Sequence, residues 1–166
     1  MLVLLSGLPG SGKTTFARAL APRLRARHLE SDAVRRSMFP TPNYTPQESA
    51  RVFDELERLA EEALAARRVV ILDATNLTER DRRRFVTLAA RLGAGLVAVR
   101  LTAPESVVRS RLSSPREGFS EAGVDVFEQM RERPEPFRVP TVVVDTRYPP
   151  EPSLALVERL AAQEAR

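Results

Sequence analysis

Short apolar runs alternate along this chain with longer segments whose apolar positions recur every three or four residues. The runs have the length and continuity of strands buried on both faces, and the segments between them have the period of amphipathic helices. Leu2-Val3-Leu4-Leu5 is the first strand, and a helix follows from about Thr14 to Arg25 with Phe16, Ala17, Leu20 and Leu24 on one face. Pro22 is expected to kink or end that helix, because its ring crowds the preceding turn and it has no N–H to donate. His28-Leu29-Glu30 reads as a short second strand, and Ser31-Asp32 opens a helix through Met38. Thr45-Pro46-Gln47-Glu48 is a capping box with proline at the first helical position. It starts a long helix to about Arg67 whose apolar face is Val52, Leu56, Leu59, Ala63 and Leu64.

Val69-Val70-Ile71-Leu72-Asp73 is a third strand, and it ends in a carboxylate. Thr78 caps the next helix, which carries Phe85, Val86, Leu88, Ala89 and Leu92 before Gly93 closes it. Leu96 to Leu101 forms a fourth strand, and Pro104 starts a helix through about Leu112 that Ser113-Ser114-Pro115 stops. A polar stretch to Gly123 precedes a helix to about Arg133; Thr141 to Asp145 is the last strand, and Ser153 to about Ala165 a terminal helix. Five strands alternating with helices predict an α/β fold, a five-stranded parallel sheet with helices on both faces. Ligands of such folds sit beyond the carboxyl ends of the strands, and Gly7, Asp32, Asp73 and Asp145 all fall there.

The chemistry is concentrated in Gly7-Leu8-Pro9-Gly10-Ser11-Gly12-Lys13-Thr14, which fits G-x-x-x-x-G-K-[ST] between a predicted strand and a predicted helix. A glycine-rich turn lets successive backbone N–H groups converge on phosphates, and the positive end of the helix points at the same place. The candidate nucleotide-binding residues are Gly10, Ser11, Gly12, Lys13, Thr14 and Thr15, with Lys13 on the β- and γ-phosphates and Thr14 on Mg²⁺. A dinucleotide-binding G-x-G-x-x-G would need glycine where Thr15 stands. Composition sharpens the reading: Lys and Arg total 26, and Lys13 is the one lysine among them. A compact ammonium among phosphate oxygens is not replaced by a planar guanidinium.

The remaining candidates each carry two readings. Asp73 is either a Walker B acid that holds Mg²⁺ or a cap on the following turn. Asp32 and Arg35, three apart at a helix start, face the same way. Asp32 is then a general base for an attacking hydroxyl or simply an N-cap, and Arg35 an acceptor contact. Arg109, Arg111 and Arg116 flank the break between two helices, as lid arginines that close on a phosphoryl group or as solvated surface. Arg80 to Arg84 read as the solvent face of a helix, or as a basic patch for nucleic acid. His28, the one histidine, reads as packing or edge surface rather than a base. The net charge of +4 leaves nucleic acid undecided, because the arginines are interleaved with 22 acids. The absence of cysteine excludes thiol nucleophiles and cysteine metal sites. The lack of a basic leader and of any membrane-length apolar run leads to an expectation of a cytoplasmic protein without membrane contact.

The sequence resembles the small P-loop kinases typified by the 5′-kinase domain of phage polynucleotide kinase, together with related kinases found alone or fused to aminoglycoside-phosphotransferase-like domains. The shared pieces are Gly7 to Thr15, the S-D-x-x-R of Ser31 to Arg35, the D-A-T-N-L of Asp73 to Leu77 and an arginine-bearing segment before Val124. The resemblance implies a three-layer P-loop fold as one domain over residues 1–166, with a helical lid at about 113–123. It implies ATP and Mg²⁺ as cofactors, Asp32 as general base, Arg35 as acceptor contact, Lys13 and Thr14 at phosphates and metal, Asp73 at the metal, and Arg111 and Arg116 as lid arginines. The acceptor it leaves open: a polynucleotide 5′-hydroxyl end is the leading expectation, a small-molecule hydroxyl the second. An ATP-binding switch or accessory ATPase is the alternative of another class. Strand-end geometry leads to an expectation of adenine contacts around Asp145 to Tyr148 and the lid.

Overall fold

Apolar alternation decides the layers. In the computed structural model, which describes residues 1–114 and 123–164, strands and helices alternate along the chain. β1 (Leu2–Ser6) leads through the glycine turn to α1 (Lys13–Leu24), and β2 (Arg27–Glu30) is followed by α2 (Ser31–Met38) and the long α3 (Pro46–Ala65). β3 (Val70–Asp73), α4 (Glu79–Arg91), β4 (Leu96–Thr102), α5 (Glu105–Ser113), α6 (Val124–Met130), β5 (Thr141–Asp145) and α7 (Glu151–Glu164) complete the order. The strands form one parallel sheet in the order β2-β3-β1-β4-β5.

Successive side chains of a strand point to opposite faces, so a central strand needs apolar residues at every position. In β1, Leu2 and Leu4 pack with Val34, Val52, Leu56 and Phe85 of α2, α3 and α4. Val3 and Leu5 pack with Phe16 and Leu20 of α1 and with Leu154 and Val157 of α7. The result is the expected three-layer architecture. The chain runs from β1 outward to β2, returns through β3 and then crosses β1 to reach β4, so the direction of winding switches at β1. That switch opens a crevice at the carboxyl end of β1, where the glycine turn lies. A small third cluster joins Val108 and Leu112 of α5, Phe127 of α6 and Leu8 of the glycine turn. The two helices that border the expected lid are therefore rooted on the phosphate loop, while residues 115–122 of that lid lie outside the described residues.

Boundaries differ from expectation where proline or a left-handed residue intervenes. α1 continues past Pro22 to Leu24 and is closed by Arg25 at φ 49°, with the Ala26 N–H donating to the Ala21 carbonyl at 2.9 Å. α6 stops at Met130 rather than Arg133, because the residue before Pro134 avoids the helical region. α7 starts at Glu151 rather than Ser153, since a proline in the first turn has no N–H to miss. In α3 Ala60 is fully buried and Leu59 only partly. Among the described residues no helix is long and apolar enough to cross a membrane.

Phe85 is fully buried beside Phe53, with ring centroids 6.1 Å apart. Phe85→Ala is expected to cost about 3–5 kcal/mol, seen as a lower urea midpoint at unchanged slope. Val143→Ala, at a side chain left 65% exposed on the edge strand β5, should shift stability by less than about 0.5 kcal/mol.

Candidate active site

The glycine turn is shaped by contacts that exclude side chains. A Cβ on Gly7 would stand 2.6 Å from the Leu101 carbonyl oxygen, and Gly12, at φ 89°, is the N-cap of α1. Lys13 and Thr14 therefore occupy the first turn of α1, which contains no acidic residue, so its free N–H groups and positive end face the crevice. Lys13 Nζ donates to the Leu8 carbonyl at 3.0 Å. Burial lowers the pKa of this ammonium, and the carboxylates of Asp73 and Asp32 oppose that shift. Ser11 lies beneath the loop with its hydroxyl buried and unpartnered. Gly10, Gly12, Lys13, Thr14 and Thr15 line the cleft.

The floor is built from the ends of β1, β2 and β3. Asp73, only 2% exposed, closes β3 opposite Glu30 of β2. His28, on the edge strand β2 as its reading as packing or edge surface expects, also has Nε2 3.0 Å from Asp73 Oδ2, a bond that orients the Asp73 carboxylate. His28, Glu30 and Asp73 each bring one ligand atom within 4.8 Å of the others. Crowding shows in Glu30, whose carboxyl is pushed up by burial and then by Asp73. Thr14 hydroxyl and Asp73 carboxylate are hard oxygen donors lining the same cleft, a set that fits Mg²⁺. Beyond Asp73, Asn76 is fully buried at φ 44° and donates from Nδ2 to the Leu5 carbonyl at 2.7 Å. Ser6 Oγ donates back to the Thr75 and Asn76 carbonyls at 3.1 and 3.0 Å.

On the other side stands α2. Its N-cap is Glu30, which places Asp32 second in the helix rather than at the cap. Asp32 and Arg35 both line the cleft, as their spacing predicts. Arg35 is 8% exposed and is held by α3, donating to Glu48 Oε2 at 3.3 Å and Ser49 Oγ at 3.1 Å, while its guanidinium covers the Tyr44 ring at 4.8 Å. Thr45 caps α3 by accepting from the Glu48 N–H at 3.1 Å, and Glu48 reaches back to the Asn43 and Tyr44 N–H groups. The expected capping box is thus present and is tied to Arg35.

The arginines separate by partner. Arg111 donates to the Gly10 carbonyl at 3.2 Å and to Thr146, at 2.8 Å for both the hydroxyl and the carbonyl. Thr146 Oγ1 in turn lies 2.9 Å from the Ser11 carbonyl. Arg111 and Thr146 thereby clamp the phosphate loop to the end of β5, a contact no sequence pattern announces. Arg109 pairs with Glu105 and Glu128 on the outside of α5 and α6. Arg116 lies outside the described residues. Arg82, expected on a solvent face, is 2% exposed and donates to the carbonyls of Asn76, Leu77, Glu135 and Pro136. Its position three before Phe85 puts it on the inward face of α4, which was the available signal.

Lys13, Thr14, Asp32, Arg35, Asp73 and Arg111 line a single cleft of about 1500 Å³. A glycine turn from a central parallel strand, with Lys and Thr opening the next helix and an acid ending the adjacent strand, defines a P-loop nucleotide-binding protein. The AAA domain family AAA_33 matches residues 2–137, and the chain belongs to that family. The L-seryl-tRNA(Sec) kinase of Methanococcus maripaludis is 31% identical over 116 residues, covering 67% of this chain and 44% of that one, so the chain spans less than half of that relative. A sugar kinase from Janibacter sp. superposes at TM-score 0.75 with 21% identity, covering 97% of this chain and 94% of the other. Chaetomium thermophilum Kti12 in complex with ADP-AlF3 superposes at TM-score 0.77 with 19% identity over the whole of both chains. The architecture is that of the small P-loop kinases.

The Asn43 N–H is the largest influence holding the Glu48 carboxyl below the usual range; burial opposes it, and Tyr44, Arg35 and Thr45 add to it. A carboxyl whose folded pKa is depressed contributes stability above its unfolded pKa and loses it as pH falls through the folded one. Glu48→Gln should lower the melting temperature by a constant amount from about pH 7 down to the ordinary carboxylate range, and the gap from wild type should close as the pH falls further, through the depressed folded pKa. An undiminished gap in acid would assign the loss to packing instead.

Proposed function

We propose that this chain is an ATP-dependent phosphotransferase that moves the γ-phosphoryl group to a hydroxyl carried at the end of a nucleic acid. The observation that carries the transfer reaction is the single cleft shared by the phosphate-loop residues Lys13 and Thr14 and the Asp32–Arg35 pair. A hydrolytic switch has no use for the second pair. The nucleic-acid acceptor is supported by the kinase relative named for seryl-tRNA, and a 5′-hydroxyl end is the acceptor to test first.

In this reading the loop N–H groups and Lys13 hold the β- and γ-phosphates, with Lys13 exchanging its bond to the Leu8 carbonyl for phosphate oxygen. Thr14 and Asp73 would hold Mg²⁺, which neutralises phosphate charge when bound. His28 keeps the Asp73 carboxylate turned to that task. Asp32 accepts the proton of the acceptor hydroxyl as the acceptor oxygen bonds to the γ-phosphorus. The bond from that phosphorus to the β–γ bridging oxygen breaks, and ADP leaves with the electron pair. Arg35, whose terminal nitrogens are engaged by Glu48 and Ser49, reaches an acceptor only by exchanging one of those bonds. Arg111 stands at the loop from the outset, and Arg116 is assigned to the same developing charge from the segment before α6. Positioning and electrostatic stabilisation supply the acceleration.

Asp32→Asn should retain ATP binding measured by calorimetry and lose about 10²–10⁴-fold in transfer from γ-labelled ATP to a 5′-hydroxyl oligonucleotide. Transfer at the wild-type rate would remove Asp32 as the base. Label appearing only on sugars, nucleosides or aminoglycosides would move the acceptor to small molecules, and free phosphate alone would indicate an ATPase.

A further inference from the structure

A groove of about 540 Å³ runs along α4 outside the cleft, lined by Arg80, Arg83, Arg84, Arg91 and Arg138 with Glu57 and Glu79. Both acids are already engaged, Glu57 by Arg84 at 2.6 Å and Glu79 by the buried Arg82 at 3.3 Å. Arg84 also meets Asp54 at 2.7 Å, and Arg91 meets Glu61 at 2.9 Å, so these two are held against α3. Arg80, Arg83 and Arg138 are exposed and have no hydrogen bond or ion pair among the described residues. The groove thus presents three uncompensated guanidinium groups.

Its construction separates it from a merely solvated helix face. Arg82 grips the Glu135 and Pro136 carbonyls at 3.0 and 2.7 Å and stacks on the Phe137 ring at 4.2 Å. That clamp brings Arg138, far along the chain, to the same groove as Arg83. Arg80, Arg83, Arg84 and Arg91 follow one face of α4 over about 16 Å. Glu57, Arg80 and Arg84 line both the groove and the cleft, so the two are continuous on the side of Phe53, Ser49 and Arg35.

We propose that this groove binds the sugar–phosphate backbone of a nucleic-acid strand whose end enters the cleft; the entry of the end rests on the acceptor reading above, and the binding of the strand does not. Guanidinium forks pair with phosphate oxygens in two-point contacts, and a row of them follows a backbone without reading bases. DNA and RNA share that chemistry.

The test uses Arg83→Gln/Arg138→Gln, two exposed residues outside the cleft, with an unchanged melting temperature as the control for folding. Anisotropy of fluorescein-labelled single-stranded DNA and RNA, titrated between about 50 and 200 mM salt, should show binding by wild type. The double variant should bind about tenfold more weakly, with a log–log salt slope shallower by about 1.4, from two lost phosphate contacts. Phosphorylation of a dinucleotide too short to reach the groove should be unchanged, while KM for a long strand rises. Strand binding lost in the variant, with no strand end ever phosphorylated, would uphold the groove and reject the acceptor reading. Strand phosphorylation that is indifferent to the double substitution would overturn the groove and leave the acceptor reading standing. No strand binding by wild type, or equal competition by poly-glutamate, would also overturn it.

Discussion

The hydrogen bond from Asn76 Nδ2 to the Leu5 carbonyl holds the site together. It ties the segment after β3 to the last turn of β1, so the glycine loop and Asp73 share one frame. The same residue accepts from Ser6 Oγ and from Arg82, which makes Asn76 the junction of the phosphate loop, the sheet and α4. Its net contribution is that of an ordinary hydrogen bond, about 0.5–1.5 kcal/mol, but a buried partner left unpaired costs about 1–3 kcal/mol. A left-handed backbone at a non-glycine residue persists because these bonds over-determine it.

Charge at the floor is balanced for an anionic ligand. Lys13 is destabilised as an ammonium by burial and rescued in part by Asp73 and Asp32, and its Nζ donates to the Leu8 carbonyl. Phosphate oxygens offer it a better environment than any of these. The carboxylates in turn are close together, and the Glu30 carboxyl is pushed up first by burial and then by Asp73.

Apolar periodicity made the strands, the order of layers and the position of the glycine loop legible in the sequence, because a sheet buried on both faces leaves few other patterns. Asp32 and Asp73 were legible for the same reason, their places beyond strand ends following from parallel topology, whereas Lys13 was legible from the glycine-loop motif and from being the one lysine. Arg82 was misread as solvent face and the partner of His28 went unseen, since both side chains are held by residues from elsewhere in the chain. Two of the four carbonyls that receive Arg82 come from residues 135 and 136, and the carboxylate that receives His28 comes from the neighbouring strand. Neither partnership leaves a local periodicity. Arg111 was expected as a lid arginine, while its bonds to Gly10 and Thr146 depend on β5 packing beside β4, which pattern alone does not give. Arg35 was placed in the cleft while its grip on α3 went unseen, because the helix-to-helix contact joins residues from separate elements.

The single lysine of the chain makes its phosphate site chemically addressable. Apart from the α-amino group, Lys13 Nζ is the one aliphatic amine in the molecule. Burial that lowers its pKa leaves more of it unprotonated near neutrality than a surface lysine, while its bond to the Leu8 carbonyl restrains it. Reductive methylation with isotopically enriched formaldehyde would therefore place a reporter in the glycine loop, beside the Leu8 carbonyl. Nucleotide occupancy could then be read at that one side-chain amine of this sequence, without altering any of the arginines that hold the rest of the fold.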